Sequence, residues 1–147
     1  MKRLGASVSG ILLLSLCGCI PKVSLTVETR DPQGSVIDRA TVTNSDANGR
    51  DFRVNGNGSV MVTASAEDRN GLTGLNISGG FSCNRTGQVQ QGSLSMSDPN
   101  LPGQNPTTSS FSQTFQVQCG GGTYQATLTA CASDSKGRSC TKEANLK

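Results

Sequence analysis

The chain has 147 residues, of which 16% are charged and 3% aromatic, and its formal net charge at pH 7 is +3. It contains no histidine, which excludes nucleophilic centres of the Ser-His and Cys-His types. Basic and acidic residues are nearly balanced, so the chain offers no electrostatic footprint for nucleic acid. Its length is sufficient for one domain with a hydrophobic core.

Residues 1–19, MKRLGASVSGILLLSLCGC, have the composition of a secretory signal. Lys2 and Arg3 give a positive start, and a short apolar run centred on 11–14 follows. A positive tip, a brief apolar centre and a small residue before the cleavage point are typical of such signals. The run is much shorter than the roughly 20 apolar residues that a membrane-spanning helix needs.

The end of this segment, Leu16-Cys17-Gly18-Cys19, resembles the lipobox of bacterial lipoproteins. The resemblance implies cleavage after Gly18 and acylation of Cys19. Cys17 stands where that family usually has Ala, Ser or Thr, which is a mild departure from its pattern. An ordinary signal peptide whose cysteines are incidental is the alternative.

The lipoprotein interpretation divides the chain into a signal peptide (1–18), a lipidated N-terminus with a short tether (19–22) and a folded domain (23–147). The membrane partner is then reached through the lipid on Cys19. Cleavage would remove two of the 13 basic residues and none of the 10 acidic ones, leaving 11 and 10. Ile20 is not the Asp that retains lipoproteins at the inner membrane, so the resemblance implies the outer membrane.

Four cysteines remain in the domain beyond the lipidated one. An even number in an exported protein predicts two disulfides, for which three pairings are possible. Zinc is the competing use, but the domain has neither histidine nor a Cys-x-x-Cys pair,. The four residues are Cys83, Cys119, Cys131 and Cys140.

Alternation of apolar and polar residues predicts β-strands in the first half of the domain. Residues 23–28 and 59–66 alternate clearly, and 36–43 do so more weakly. The intervening stretch 44–58 is rich in Asn, Asp and Gly, which predicts a loop.

The second half has the same short-period pattern, interrupted by one long polar segment. Residues 84–110 are polar and contain several prolines, with one short strand predicted around 89–96. Such a weak segment is often functional or mobile rather than part of a core. The other predicted strands are 75–83, 111–119, 124–132 and 139–146.

About seven short strands separated by turns predict an all-β, antiparallel sandwich. Residues 62–68, followed by Gly71 and the strand at Leu75, resemble strands B and C of bacterial immunoglobulin-like domains, and 124–134 followed by 136–137 resemble their F–G hairpin. The resemblance implies an immunoglobulin-like fold and carries no catalytic residues. Another small β-barrel or a transthyretin-like sandwich, suggested by 31–42, is the alternative.

If the strand order of the sandwich holds, the cysteines sort by position. Cys83 and Cys119 then end strands C and E at one pole, whereas Cys131 and Cys140 flank the F–G turn at the other. We therefore expect Cys83–Cys119 and Cys131–Cys140 disulfides. Cys131 is out of phase with the inward residues of its own strand, while Cys140 is in phase with those of the last strand. The second bond therefore requires a bulge near the turn.

Three patterns that could indicate catalysis or metal binding are weak. Residues 133–136 spell the Ser-x-x-Lys of penicillin-binding proteins and class A β-lactamases, but that motif needs further partners that are missing here. Residues 46–51 begin like an EF-hand loop but lack its Gly and Glu. We expect no enzymatic activity, cofactor or metal. The less favoured alternative is a calcium cluster at the loops, as in cadherin-like sandwiches, from Asp31, Glu67, Asp68 and Asp134.

Two functions are compatible with these features. The first is a lipid-anchored, non-enzymatic module that supports or binds another envelope component, with a protein as its expected partner. The second is a small envelope inhibitor, or an accessory subunit of an enzyme or secretion complex. Neither ligand nor membrane face is specified by the sequence.

Overall fold

The computed structural model describes residues 20–101 and 103–147, so the predicted signal segment and Cys19 lie outside the described residues. Every regular element in these two ranges is a β-strand, and none of them is a helix that could cross a membrane. The strands are β1 (Lys22–Arg30), β2 (Val36–Thr43), β3 (Arg50–Phe52), β4 (Asn57–Glu67), β5 (Leu72–Arg85), β6 (Gln88–Ser97), β7 (Thr108–Gln118), β8 (Thr123–Asp134), β9 (Arg138–Cys140) and β10 (Ala144–Leu146).

The strands form two sheets that pack face to face. Sheet 1 has the order β2-β1-β4-β7, and sheet 2 has the order β3-β10-β8-β5-β6 with β9 also paired to β8. All neighbours are antiparallel except β3 and β10, which are parallel. The predicted all-β antiparallel sandwich is confirmed, with ten strands in the described residues where about seven were predicted.

The core follows from the alternation seen in the sequence. Every second residue of the central strands faces the opposite sheet, and most of these side chains are small or aliphatic. Removing each large aliphatic side chain from water contributes roughly 1.5–3 kcal/mol. At Gly79 on β5, a side chain would collide with the backbone carbonyl of Thr127 on the neighbouring strand β8. The buried rows include Val23, Leu25, Val27, Val60, Val62, Ala64, Leu75, Ile77, Ala126, Leu128 and Ala130.

The loop predicted over 44–58 was only partly correct. It contains the short strand β3, which pairs in parallel with β10, and its Phe52 is only 1% exposed. Three residues are too few to display alternation, and the polar residues around them dominate the local composition. Phe52 enters the core because the chain crosses from sheet 1 to sheet 2 at this point.

The single strand predicted over 139–146 is also wrong, because it is divided into β9 and β10. Cys140 lies opposite Cys131, and Ala144 lies opposite Leu128. The chain therefore takes four steps along one strand against three along the other, so one extra residue is inserted between β9 and β10. Thr141 fills this interruption, donating its N–H to Ala130 O at 2.8 Å.

The sandwich has two ends, which we name by the position of β1. The N-terminal end carries Lys22, which pairs with Glu67, together with the turns at 68–71 and 135–137. The far end carries the turns at 31–35, 86–87 and 119–122. Between β6 and β7, residues 98–101 and 103–107 lie at the N-terminal end, since Asp68 N–H donates to Thr107 O at 2.9 Å.

Candidate functional site

The chain is fixed to the fold as soon as it enters β1. Pro21 is buried, and its carbonyl accepts a hydrogen bond from Asn44 Nδ2 at 3.1 Å. The same amide nitrogen donates to Ser139 Oγ at 2.9 Å, while Asn44 Oδ1 accepts from Val23 N at 3.2 Å. The Asn44 side chain thus joins the start of β1 to both sheets. In the described part of the chain, the only exposed residue before β1 is Ile20, which is 62% exposed.

Two aspartates organise the turns at the N-terminal end. Asp134 Oδ1 accepts the backbone N–H groups of Lys136 and Gly137 at 2.8 and 2.6 Å, and Oδ2 accepts from Asn70 Nδ2 at 3.3 Å. Desolvation raises the pKa of Asp134, but these hydrogen bonds and the Lys136 charge outweigh it, and the net pKa is lowered. Asp68 is buried and accepts the Asn70 N–H at 2.6 Å, while its Oδ2 has no hydrogen-bond partner among the described residues.

The other candidate chemical groups are dispersed. Asp31 lies at the far end, whereas Glu67, Asp68 and Asp134 lie at the N-terminal end, so the four acidic residues do not form one cluster. Within residues 20–101 and 103–147, no group of three potential metal ligands is close enough to hold an ion. Residues 133–136 lie on the β8–β9 turn.

Both expected disulfides are present. Cys83 on β5 and Cys119, directly after β7, join sheet 2 to sheet 1 near the far end, with Cα atoms 5.6 Å apart. Both residues are buried. By closing the loop between them in the unfolded chain, the disulfide raises the free energy of unfolding by roughly 4 kcal/mol.

The Cys131–Cys140 bond lies within sheet 2, joining two residues that are directly opposite on β8 and β9. The bulge expected between the two cysteines and the turn is not there. It lies after Cys140 instead, where the extra residue at 141–143 changes the phase. Cys140 therefore points outward, as Cys131 does. The prediction that Cys140 points inward was wrong because it extended the alternation of β10 through Thr141 without the extra residue.

The outer face of sheet 1 carries two rows of hydroxyl side chains that cross all four strands. Pairs in adjacent strands bond directly: Thr26 to Thr41 at 2.7 Å, Thr63 to Ser112 at 2.7 Å and Ser65 to Ser110 at 2.9 Å. A shallow open depression of about 600 Å³ lies beside this face at the N-terminal end. The rows are Thr41-Thr26-Thr63-Ser112 and Thr43-Ser24-Ser65-Ser110.

On one lateral side, which we call the closed side, β2 and β3 are the edge strands. The segment after β3 bridges the two sheets: Arg53 N–H donates to Asp38 Oδ2 at 3.3 Å, and Thr29 Oγ1 donates to Arg53 O at 2.7 Å. β2 is charged at Asp38 and Arg39, and its pairing shifts register near Arg30. Charge, irregular pairing and a covering segment are the usual protections of a sheet edge.

On the other lateral side, which we call the open side, β6 and β7 are the edge strands. They contain ten and eleven residues, and each pairs with its inner neighbour without a register shift. Neither strand contains a proline or a charged residue, and Asp98 is the only charge in 86–118. Four of their inward apolar side chains are only partly buried, Leu94, Met96, Phe111 and Phe115, whereas Val117 near the far end of β7 is buried.

Residues 84–110 have only a weak strand pattern, and the open side could not be identified from it. The available signal was the almost complete absence of charge over 86–118. The absence of charge indicates an unprotected edge only once the order of strands in the sheets is known. The same composition in an inner strand would be ordinary.

No family model matches the chain, and no curated protein is significantly similar to it in sequence.

Proposed function

We propose that the protein is a non-enzymatic immunoglobulin-like module, anchored by acylated Cys19 to the bacterial outer membrane, that binds or supports another envelope component. The signal-like residues 1–18 support export, and two disulfides suit an oxidising compartment,. The carboxylates at the N-terminal end are engaged in turn hydrogen bonds rather than arranged around a cleft, which favours a binding or structural role.

The attachment of β1 is the observation that carries the proposal. Pro21 is buried and held by Asn44, so only Ile20 separates the acylated residue from the folded domain. Two extended residues span about 7 Å. The domain is therefore held directly at the lipid surface, with no linker that would let it search a distant volume.

Acylation can be tested by the intact mass of protein extracted from membranes with detergent. We expect the mass of residues 19–147 plus acyl groups, with four cysteines oxidised. Cys19→Ser should abolish acylation and cleavage after Gly18, whereas the matched variant Cys17→Ser should preserve both. Membrane-extracted unchanged protein that carries no acyl mass would contradict the lipid anchor.

The choice of membrane can be tested separately at Ile20, which is exposed and contributes little to the fold. Ile20→Asp should move the acylated protein from the outer to the inner membrane fraction, and Ile20→Asn serves as the uncharged control. An inner-membrane location of the unchanged protein would refute the outer-membrane assignment while leaving acylation intact.

A further inference from the structure

On the open side, Asp98 and the segment with buried Leu101 protect the N-terminal end, but the central parts of both edges lack charge, proline and irregular pairing. Of these, β7 has the more regular edge, because its eleven residues include no glycine, whereas β6 contains Gly92. The free N–H and C=O groups of such an edge are a template for another extended strand. The next question is which strand the side chains of β7 fit.

The centre of the inward row of β7 is symmetric about Gln113, whereas its ends differ, with Ser109 at one and the buried Val117 at the other. Gln113 lies opposite Val62, which is buried, so its side chain is on the inward face, yet it remains exposed. Phe111 and Phe115 flank it on the same face, and both are only partly buried. The row is thus two phenyl rings with an amide between them, and part of each ring is uncovered.

A strand with this pattern is complementary to a second copy of itself. In an antiparallel pair centred on Gln113, Phe111 lies opposite the second copy's Phe115, and the two Gln113 amides meet at the two-fold axis. On the outward face, Ser112 lies opposite the second copy's Thr114. Aromatic pairs and hydroxyl pairs stabilise adjacent strands, and no like charges are brought together.

We propose that two copies of this protein associate through antiparallel pairing of their β7 edges, centred on Gln113. Sheet 1 then continues across the dimer as β2-β1-β4-β7-β7-β4-β1-β2. An edge contact of this length buries less surface than a standard stable interface, so the isolated domains associate weakly, with a dissociation constant in the micromolar range.

The geometry also suits two lipid-anchored copies. The two-fold axis of an antiparallel edge pair is perpendicular to the sheet, so both N-termini lie at the same level along that axis. Both lipids can therefore enter one membrane plane, and confinement to that plane raises the effective concentration. The pairing needs only residues of the folded domain, so it holds or fails independently of acylation.

Cysteine cross-linking tests the register, using residues 20–147, which contain every strand, exported so that both native disulfides form. Gln113→Cys should form a disulfide-linked dimer, since directly opposite residues have the spacing that Cys131 and Cys140 already show. Ser112→Cys and Thr114→Cys should each cross-link poorly alone but readily when the two variants are mixed. Equal cross-linking by Gln113→Cys and by the control Gln125→Cys, on the outer face of β8, would overturn the proposal.

Sedimentation equilibrium tests the association itself. We expect concentration-dependent dimers of the unchanged domain, and a roughly tenfold or greater weakening in Gln113→Lys, which places two like charges opposite each other. Gln125→Lys adds the same charge elsewhere and should leave the dimer unchanged. A domain that is monomeric up to millimolar concentration, or a dimer that survives Gln113→Lys, would show that β7 does not pair with its own copy.

Discussion

The two lateral sides of the sandwich differ although both end in edge strands. On the closed side Phe52 of β3 fills the gap between the sheets, and the segment after β3 joins them through the Arg53–Asp38 and Thr29–Arg53 hydrogen bonds. On the open side the sheets end in long, neutral strands with half-buried Phe111 and Phe115. Because the closed side is so fully protected, the exposed neutral edge of the open side is better explained by a role in strand pairing than by chance.

The same substitution on the two sides should give the largest contrast. Phe52→Ala removes a fully buried ring and should lower the free energy of unfolding by about 3–5 kcal/mol. Phe115→Ala removes a ring that is already partly solvated, so about 1–2 kcal/mol is expected at concentrations where the domain is monomeric. Urea unfolding monitored by circular dichroism measures both. Equal losses would mean that Phe115 is as well packed as Phe52.

The disulfides provide the second contrast. Replacing Cys83 and Cys119 by Ala should cost roughly 4 kcal/mol, and replacing Cys131 and Cys140 should cost roughly 3 kcal/mol. The first pair holds the end of β7 to sheet 2, so its loss should also accelerate amide hydrogen exchange in β7. The second double variant is the control, and it should leave β7 exchange nearly unchanged. Similar acceleration in both would show that β7 is not held locally.

Packing on the open side can be examined at two nearby glycines. A side chain at Gly92 on β6 would lie 2.5 Å from the Phe81 ring, whereas one at Gly80 would meet only Gly92 O at 3.7 Å. Gly92→Ala should therefore cost about 1–3 kcal/mol through overpacking, and Gly80→Ala should change stability by less than about 0.5 kcal/mol. If both are neutral, Phe81 has room to move and the open side is looser than described.

A pH titration of the carboxyl groups should give the smallest effect. It reports on the closed side, where a charged pair is present. A hydrogen bond from Lys147 Nζ at 2.7 Å, on the closed side, holds the pKa of Asp51 below its usual 3.8. The contribution of this pair is present above pH 3.8 and is lost as the pH falls through the lowered pKa. Carboxyl resonances from NMR should show this pKa returning towards 3.8 in Lys147→Met. The Lys147→Met substitution itself should leave the β7 amide resonances unchanged, because β7 lies at the opposite lateral side of the sandwich.

Much of the sandwich could be predicted because its inner strands are buried on one face only. β4 and β8 alternate so regularly that burial, strand type and approximate bounds followed from the sequence. β3 could not be predicted, because a three-residue strand has no period to detect. The division between β9 and β10 was missed because a single extra residue reverses the phase without changing composition.

The candidate surfaces were less predictable than the fold. The attachment of the N-terminus depends on Asn44, whose partners Pro21 and Ser139 are distant in the chain. The open side depends on the order of strands within each sheet, which alternation does not determine. Local sequence therefore predicted the strands, whereas contacts between distant segments determined which surfaces remain free.

The attachment of β1 has a mechanical consequence. β1 pairs along its whole length with β4 and over Ser24–Arg30 with β2. Tension applied at Ile20 along the axis of the strand shears both sets of backbone hydrogen bonds at once instead of unzipping them in turn. The domain should thus withstand pulling from its N-terminus far better than peeling from its C-terminus, where β10 contributes only three residues.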